Sequence, residues 1–213
     1  MLSRTLMAIV VGGSFLVAAP IVSPQVSYAY ADSKMETAAI DLVEKLGSEA
    51  VSILSDKTLS NTEKQDKFAY LVERDFDMNV ISRFVLGKNW RKASDDEKAE
   101  YQDLFQTYII KTYQKRIGEY SGENLKIIKS KPLNKKEYLV NSEIIRPKGP
   151  KINLDWRVRE SKSGELKIID IMVENVSMAL THRDEFTSVI SQNGGKVAAL
   201  IEKLRSHIAE ASN

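Results

Sequence analysis

Residues 152–159 read INLDWRVR, and their alternating pattern is the clearest indication of the fold class. Apolar and polar residues alternate through it, so alternate side chains share one face of a predicted β-strand: Ile152, Leu154, Trp156 and Val158. A second apolar segment, LKIIDIMV at residues 166–173, follows the turn KSG at residues 162–164. Together the two segments predict an antiparallel hairpin with one large apolar face.

Two shorter strand-like segments come before this hairpin, at residues 125–128 and 137–145, and the turn PKGP at residues 147–150 ends the second. The apolar spacing before and after the strands is helical, which predicts helices over the following ranges: 35–54, 61–75, 78–87, 94–120, 177 or 181 to 190, and 197–208. Three of them have predicted caps: Asp77, the capping box SDDE at residues 94–97, and Ser177 or Thr181. The order predicts an α+β fold with N-terminal helices, a curved antiparallel sheet of about four strands and C-terminal helices. A twisted sheet covered by helices on one face forms a cone with an apolar pocket.

The strand at residues 166–173 has an irregular pattern. Ile168 and Asp170 have the same parity, whereas Ile169, Ile171 and Val173 have the other. Either both faces of this strand are covered, or a β-bulge shifts the register near Ile168.

Residues 1–31 have the pattern of a secretory signal peptide. Arg4 is followed by a mostly apolar run over residues 6–22, and Ala29-Tyr30-Ala31 forms a small-x-small cleavage site. Cleavage there leaves 213 − 31 = 182 residues, so we expect one domain over residues 32–213. The alternative is an uncleaved membrane anchor, because the apolar run is close to the lower length limit of a span.

Composition excludes several function classes. The formal charge is +2, and removing the single Arg of residues 1–31 leaves +1, which argues against nucleic-acid binding. The chain has no Cys and two His, so few zinc sites can be built and no metal is expected. An exported chain without Cys is typical of the bacterial periplasm, where folding need not depend on disulfides.

Few residues suggest catalysis. Asp170 is a candidate general base if it faces a cavity, and otherwise a structural partner for an Arg or for backbone amides. His182 is expected to be exposed or to cap a helix. Arg183 either pairs with the acids that follow it or points to an anionic head group. Trp156 is either core or cavity lining, and its indole N–H needs a partner if it is buried.

Three segments resemble a known family. Residues 84–94 (FVLGKNWRKAS) are similar to its "lGkyWrk.s" segment, residues 170–177 (DIMVENVS) to its "D-[VI]-x-[VI]-E-G-V-S" element, and residues 183–186 (RDEF) with Gly194-Gly195 to its ending. The family is the toluene-tolerance family, the periplasmic substrate-binding component of the Mla lipid-transport pathway. The resemblance spans about residues 35–204. It departs at Asn175, where the family usually has Gly, and at Leu166, where it often has Trp.

The resemblance implies a cone like that of the nuclear-transport-factor class, with a deep apolar pocket for phospholipid acyl chains. It implies a monomeric, non-enzymatic carrier in the periplasm, with bound lipid as cargo and no cofactor. The carrier would move lipid between an outer-membrane lipoprotein and porin complex and an inner-membrane ABC transporter, and so maintain outer-membrane lipid asymmetry. Some relatives are encoded in hopanoid gene neighbourhoods, so the resemblance leaves open whether the bound lipid is a phospholipid or a hopanoid.

Apolar faces predict the pocket lining: Phe76, Ile81, Phe84, Phe105, Tyr108, Ile109, Leu154, Trp156, Val158, Ile171, Val173 and Met178. Ser177 and Arg183 are predicted at the head-group end. One alternative is a cone-fold enzyme with Asp170 as base and an apolar substrate. Another is a protein-binding module, which predicts a solid core without an enclosed pocket.

Overall fold

A computed structural model describes residues 24–114 and 119–211, with side chains from Ser33 onward. Its helices are α1 (Pro24–Ser55), α2 (Asn61–Asp75), α3 (Met78–Leu86), α4 (Asp95–Gln114), α5 (Met178–Gln192) and α6 (Val197–Glu210). Its strands are β1 (Asn124–Asn134), β2 (Glu137–Ile145), β3 (Ile152–Glu160), β4 (Leu166–Val173) and β5 (Val176–Ser177). A 3-10 turn, Gly87–Arg91, joins α3 to the segment before α4.

The strands form one antiparallel sheet in the order β1-β2-β3-β4-β5, which confirms the predicted α+β class and meander. The sequence missed β5, which has only two residues. It also predicted β1 too short, because β1 pairs with β2 from Asn124 to Asn134. Two register irregularities and its position at the sheet edge allow β1 to hold Pro132, which cannot donate to a ladder.

Two parts of the predicted elements lie outside the residues that the structure describes. Residues 1–23, most of the predicted signal peptide, lie outside the described residues, as do residues 115–118 of the predicted long helix. The predicted cleavage site falls in the first turns of α1, which begins at Pro24. None of the helices described here is long and apolar enough to cross a membrane. The predicted domain boundaries stay a prediction.

Side-chain caps start α3 and α4 where the sequence predicts. Before α4, Ser94 N donates to Glu97 Oε2 at 2.9 Å and Glu97 N donates to Ser94 Oγ at 3.1 Å, which forms the predicted capping box. Asp77 caps α3 by accepting from Val80 N at 3.0 Å.

The predicted β-bulge is present in β4. Arg157 pairs with Asp170 and Val158 pairs with Ile168, so Ile169 is the extra residue. Ile168 and Ile169 are both buried, but they enter different cores. The bulge thus lets one strand contribute to both apolar clusters of the molecule.

Two apolar clusters hold the molecule together. The sheet core joins α1 and α2 to one face of the sheet, and its buried members include Val43, Leu71, Val140, Trp156 and Val158. The helix core joins α3, α4, α5 and α6 to Ile169 of β4, and it contains Leu86, Tyr101, Phe105, Phe186 and Leu200. The candidate functional site lies between these two cores.

The opposite face of the sheet carries an ion-pair cluster. Glu137 is 6% exposed and binds Arg157 Nη2 at 2.6 Å and Arg159 Nη2 at 2.5 Å. Burial raises the pKa of Glu137, but the hydrogen bonds and charges of the two arginines outweigh burial and hold this pKa below its usual value.

Glu137→Gln is expected to lower the free energy of unfolding at pH 7 by about 2 kcal/mol, because hydrogen bonds to charged groups are lost. A carboxyl with a lowered folded-state pKa stabilises the protein fully above its unfolded pKa of about 4.3. This stabilisation disappears as the pH falls through the folded pKa. Urea unfolding between pH 7 and pH 3 should therefore show the two proteins converging, and a constant difference would contradict the ion-pair account.

Candidate functional site

A cavity of about 530 Å³ lies between the sheet core and the helix core. Strands β3 and β4 form one wall, and helices α1 to α5 form the others. Trp156, Phe105 and Leu71 are buried at its floor. Ile144 and Ile152, which face each other across β2 and β3, are half-buried at its rim. Along the sheet the lining runs from Trp156 to Ile144 and Ile152, the last pair before the connection between β2 and β3, whereas Val158 beyond Trp156 is fully buried and does not line it, so we place the opening at that end.

Nine of the predicted lining residues line the cavity: Phe76, Ile81, Phe105, Ile109, Leu154, Trp156, Ile171, Val173 and Met178. Their binding role is taken up under the proposed function. Ile152 continues the β3 row to the rim, as strand alternation requires.

Phe84 does not line the cavity, which corrects its predicted place in the lining, and Arg183, predicted at the head-group end, does not line it either. The Arg183 guanidinium lies over the Phe84 ring, 5.1 Å from its centroid, on the contact between α3 and α5. Phe84 is 39% exposed there. On α5 the lining residues are Met178, Ala179 and His182, all within the first five residues of the helix, whereas Arg183 contacts Phe84 instead.

Tyr108, Val158 and Ser177 also lie outside the lining. Tyr108 is turned toward α5 and α6, where its ring centroid is 5.8 Å from that of His182 and 5.7 Å from that of Phe186. Val158 shares the face of Trp156 but is fully buried beyond the floor of the cavity, next to its partner Tyr138. Ser177 is the N-cap of α5 and accepts from Leu180 N at 3.1 Å.

Trp156 belongs to the core and to the cavity wall at once. It is 7% exposed and packs in the sheet core, yet its ring lines the cavity. Its indole N–H donates to Ser142 Oγ at 3.0 Å, and Ser142 Oγ donates to the Leu154 carbonyl at 2.5 Å. The expected partner of the indole is therefore Ser142, and the wall keeps a large apolar ring without an orphaned donor.

Asp170 reaches the cavity wall with its carboxylate already bound. Ser177 Oγ donates to Oδ2 at 2.5 Å, and Ala179 N donates to Oδ1 at 3.0 Å. These bonds join β4 to the start of α5, which confirms the predicted pairing with a backbone amide. Asp170 thus ties the sheet wall of the cavity to its helical wall.

His182 is buried on the cavity wall, which corrects the expectation of an exposed or capping residue. Its Nδ1 is 3.2 Å from Glu185 Oε2, and its Nε2 is 3.3 Å from the hydroxyl of Tyr113, which also lines the cavity. In the neutral ring, Nδ1–H donation to Glu185 leaves Nε2 to accept from Tyr113. Neighbouring Tyr108 stays a neutral phenol, because burial and the charge of Glu185 raise its pKa.

The DIMVENVS motif builds the joint between the two walls. Glu174 and Asn175 have φ values of 48° and 65°, as a two-residue hairpin turn between β4 and β5 requires. Asn tolerates this left-handed conformation, so the turn survives the change from the family's Gly. The Glu174 carboxylate accepts from Asn153 N at 2.7 Å and from Asn153 Nδ2 at 3.0 Å, which fixes the turn on β3.

The sequence missed the wall formed by α1 and α2. Its lining residues are Leu46, Ala50, Ile53 and Leu54 from α1 and Phe68, Leu71 and Val72 from α2. The apolar spacing of these residues predicts a helix face that packs on the sheet, but it does not predict a cavity. Small Ala50 was not a usable signal, because the equally small Ala39 of the same helix is fully buried in the sheet core.

The fold and the site define an α+β protein with an apolar cavity open at one end. The chain belongs to the MlaC family: the family model described as MlaC protein matches residues 44–206. A toluene tolerance protein, Ttg2D of Pseudomonas putida, is 21% identical over 136 residues, which are 63% of this chain and 63% of that protein. The match thus spans less than two thirds of that relative's length.

A solved structure has the same fold. The phospholipid-binding protein of Ralstonia solanacearum, determined in complex with a phospholipid, superposes with a TM-score of 0.70 at 22% sequence identity. The superposition covers 81% of this chain and 98% of that one. The two proteins therefore share a fold.

Proposed function

We propose that this protein is a non-enzymatic periplasmic lipid carrier that holds acyl chains in the cavity. The cavity itself carries the proposal, because its wall is apolar apart from Asp170, His182 and Tyr113. Within the described part of the chain no lysine or arginine lines it. Such a wall suits hydrocarbon, and the polar part of the cargo would stay at the rim near Ile144 and Ile152. The Ralstonia solanacearum protein, with its bound phospholipid, supports this class of cargo.

The size of the cavity favours an occupant. Because the cavity is open, water can enter it, and hydrocarbon that replaces this water against an almost wholly apolar wall gains free energy. The cavity volume of about 530 Å³ lies within the range typical of ligand pockets, about 300–1,000 Å³.

Energetics also favour a carrier that exchanges lipid with membrane partners. Each buried methylene contributes ~0.8 kcal/mol, so a chain of about fourteen carbons gains roughly 11 kcal/mol relative to water. A bilayer offers the chain nearly the same gain. Exchange with a membrane is then close to balanced, whereas escape into water is very slow. We therefore propose docking on an outer-membrane complex and on an inner-membrane ABC transporter, with lipid asymmetry of the outer membrane as the purpose.

Two observations support the periplasm as the compartment. Residues 1–31 have the pattern of a cleaved signal peptide, and the chain contains no Cys. Membership of the MlaC family agrees with the same location.

The structure bears differently on the two alternatives, the cone-fold enzyme and the protein-binding module. An enzyme would use Asp170, which reaches the cavity as that alternative requires. Its carboxylate oxygens, however, already accept from Ser177 and Ala179, and His182 is bound to Glu185 and Tyr113. The protein-binding module predicted a solid core, and the cavity contradicts it.

Native mass spectrometry of protein purified from cells tests the carrier proposal. We expect added mass from bound lipid, and organic extraction followed by lipid analysis would identify the cargo. Protein stripped of lipid should take up lipid from vesicles and unfold at a higher temperature once loaded, because a ligand that binds only the folded state stabilises it. The proposal fails if the purified protein is free of lipid and the stripped protein takes up none.

A further inference from the structure

A basic loop projects from the rim of the cavity. Ile144 and Ile152 line the rim, and the chain between β2 and β3 continues past them through residues 146–151, RPKGPK. This loop has three basic residues and no acidic one. Lys148 is exposed at its tip, and the Lys151 side chain is 59% exposed beside Glu143. Positive charge therefore lies directly at the opening.

The loop is held in one conformation by its own contacts. Arg146 Nε donates to the Pro150 carbonyl at 2.7 Å, which closes the loop on itself. Gly149 has a φ of 93° and lies against the Arg146 guanidinium, where a Cβ would come within 3.2 Å of Nη2. Pro147 and Pro150 restrict the backbone further. Lys148 is thus presented to solvent without a large ordering cost on binding.

Exposed apolar side chains lie at the same end of the molecule. Ile145 ends β2 and is 41% exposed, while Val176 pairs with the lining residue Val173 and is 54% exposed. Leu180, in the first turn of α5 close to the lining residue Met178, is 50% exposed. Three acids lie close to the loop: Glu143 pairs with Lys151, Glu174 accepts from Asn153, and Glu123, next to the β1 residue that pairs with Ile145, accepts from Ser121.

We propose that this rim surface, formed by residues 145–151 with Val176 and Leu180, docks on an anionic lipid bilayer with the cavity opening toward it. Basic residues next to exposed apolar side chains are the combination that binds the interface of anionic membranes. Docking there would give an acyl chain an apolar path from bilayer to cavity. The inference rests on the proposed function, to which it adds direct contact with the membrane surface.

The other end of β2 offers a matched control. The hairpin between β1 and β2 carries Lys135 and Lys136, both exposed and far along the sheet from the opening. Lys136 lies 3.9 Å from Glu160, as Lys151 lies beside Glu143, so each pair has one lysine next to a glutamate. Replacing either pair by Gln changes the net charge equally. The two pairs differ in their position relative to the cavity, which is the variable under test.

Flotation with vesicles of phosphatidylglycerol and phosphatidylcholine, at low salt, tests the surface. Lys148→Gln with Lys151→Gln should weaken vesicle binding about thirtyfold, because each basic residue near an anionic surface contributes about fivefold. Lys135→Gln with Lys136→Gln should weaken it less than about threefold, since those side chains face away from the docked bilayer. Vesicles of phosphatidylcholine alone should bind poorly.

Two results would overturn the inference. One is an equal loss of vesicle binding in the two double variants, which would mean that the protein is attracted by its overall charge and not through the rim surface. The other is no binding of the unmodified protein to the anionic vesicles, which would leave the rim to a protein partner. Bound lipid is measured by native mass spectrometry in the same preparations. Lipid-loaded protein that fails to dock contradicts only this inference, whereas protein that never carries lipid contradicts the proposed function.

Discussion

Ile171→Glu is expected to lower affinity for phospholipid by at least about a hundredfold, a loss of about 2.7 kcal/mol. Ile171 lies on β4 opposite Trp156 and lines the cavity, and it is half-buried rather than sealed in a core. In the empty protein a carboxylate at this position can reach water through the opening. Hydrocarbon over the same carboxylate would remove that water without supplying a partner, and burial of an unpaired charge costs several kcal/mol.

Ile128→Glu is the control for this change. Ile128 is the same residue in a strand of the same sheet, but it is 47% exposed on β1 and lies outside the lining. It should leave affinity within about twofold, because a charge in water does not affect a distant apolar site. Affinity is measured by titrating stripped protein with a fluorescent phospholipid, and circular dichroism reports the folded fraction. Equal affinities for the two variants would show that acyl chains do not occupy this cavity.

The part of the cavity wall formed by β3 could be predicted from the sequence because its period of two is unambiguous. Once residues 152–158 are a strand, Ile152, Leu154 and Trp156 must share a face. Only the depth of the cavity along that face was unpredictable. Val158 has the same orientation as Trp156 but lies beyond the floor, because Tyr138 fills the space beside it.

The sequence predicted the cavity-lining residues of the helices less accurately than those of strand β3. An apolar stripe is broad, so residues about 60° from its centre face a neighbouring helix instead of the cavity. Phe105 and Ile109 line the cavity, while Tyr108, one helical turn from Phe105, packs on α5 and α6. The contribution of α1 and α2 depended on which face of the sheet they cover, and no local pattern contains that information.

For the polar residues of the site, the sequence predicted the kind of interaction better than the position in the fold. The bulge that resolves the parity of Ile168 and Asp170 brings the Asp170 carboxylate to Ser177 and to the amide of Ala179. The DIMVENVS motif therefore connects strand β4 to the start of helix α5. His182 was misjudged because its burial depends on Tyr113 and Glu185, and Tyr113 is distant in sequence.

Trp156→Ala is expected to lower the free energy of unfolding by about 4 kcal/mol in protein stripped of lipid, within the range of about 3–5 kcal/mol for large-to-small core changes. Trp156 packs in the sheet core while forming the floor of the cavity, so its removal would extend the existing space into the core. Trp156→Phe keeps most of this packing and removes only the donor to Ser142, so a loss of about 1 kcal/mol is expected.

Urea unfolding of these variants, with Ser142→Ala and the Trp156→Phe/Ser142→Ala double variant, separates packing from hydrogen bonding. The double-mutant cycle should give a coupling of about 1 kcal/mol, because the indole N–H and the Ser142 oxygen are in direct contact. A loss below about 1.5 kcal/mol for Trp156→Ala would mean that the ring serves the cavity alone. A full loss would explain why charge is better introduced at Ile171 than at Trp156, because at Trp156 the fold and the ligand would be lost together.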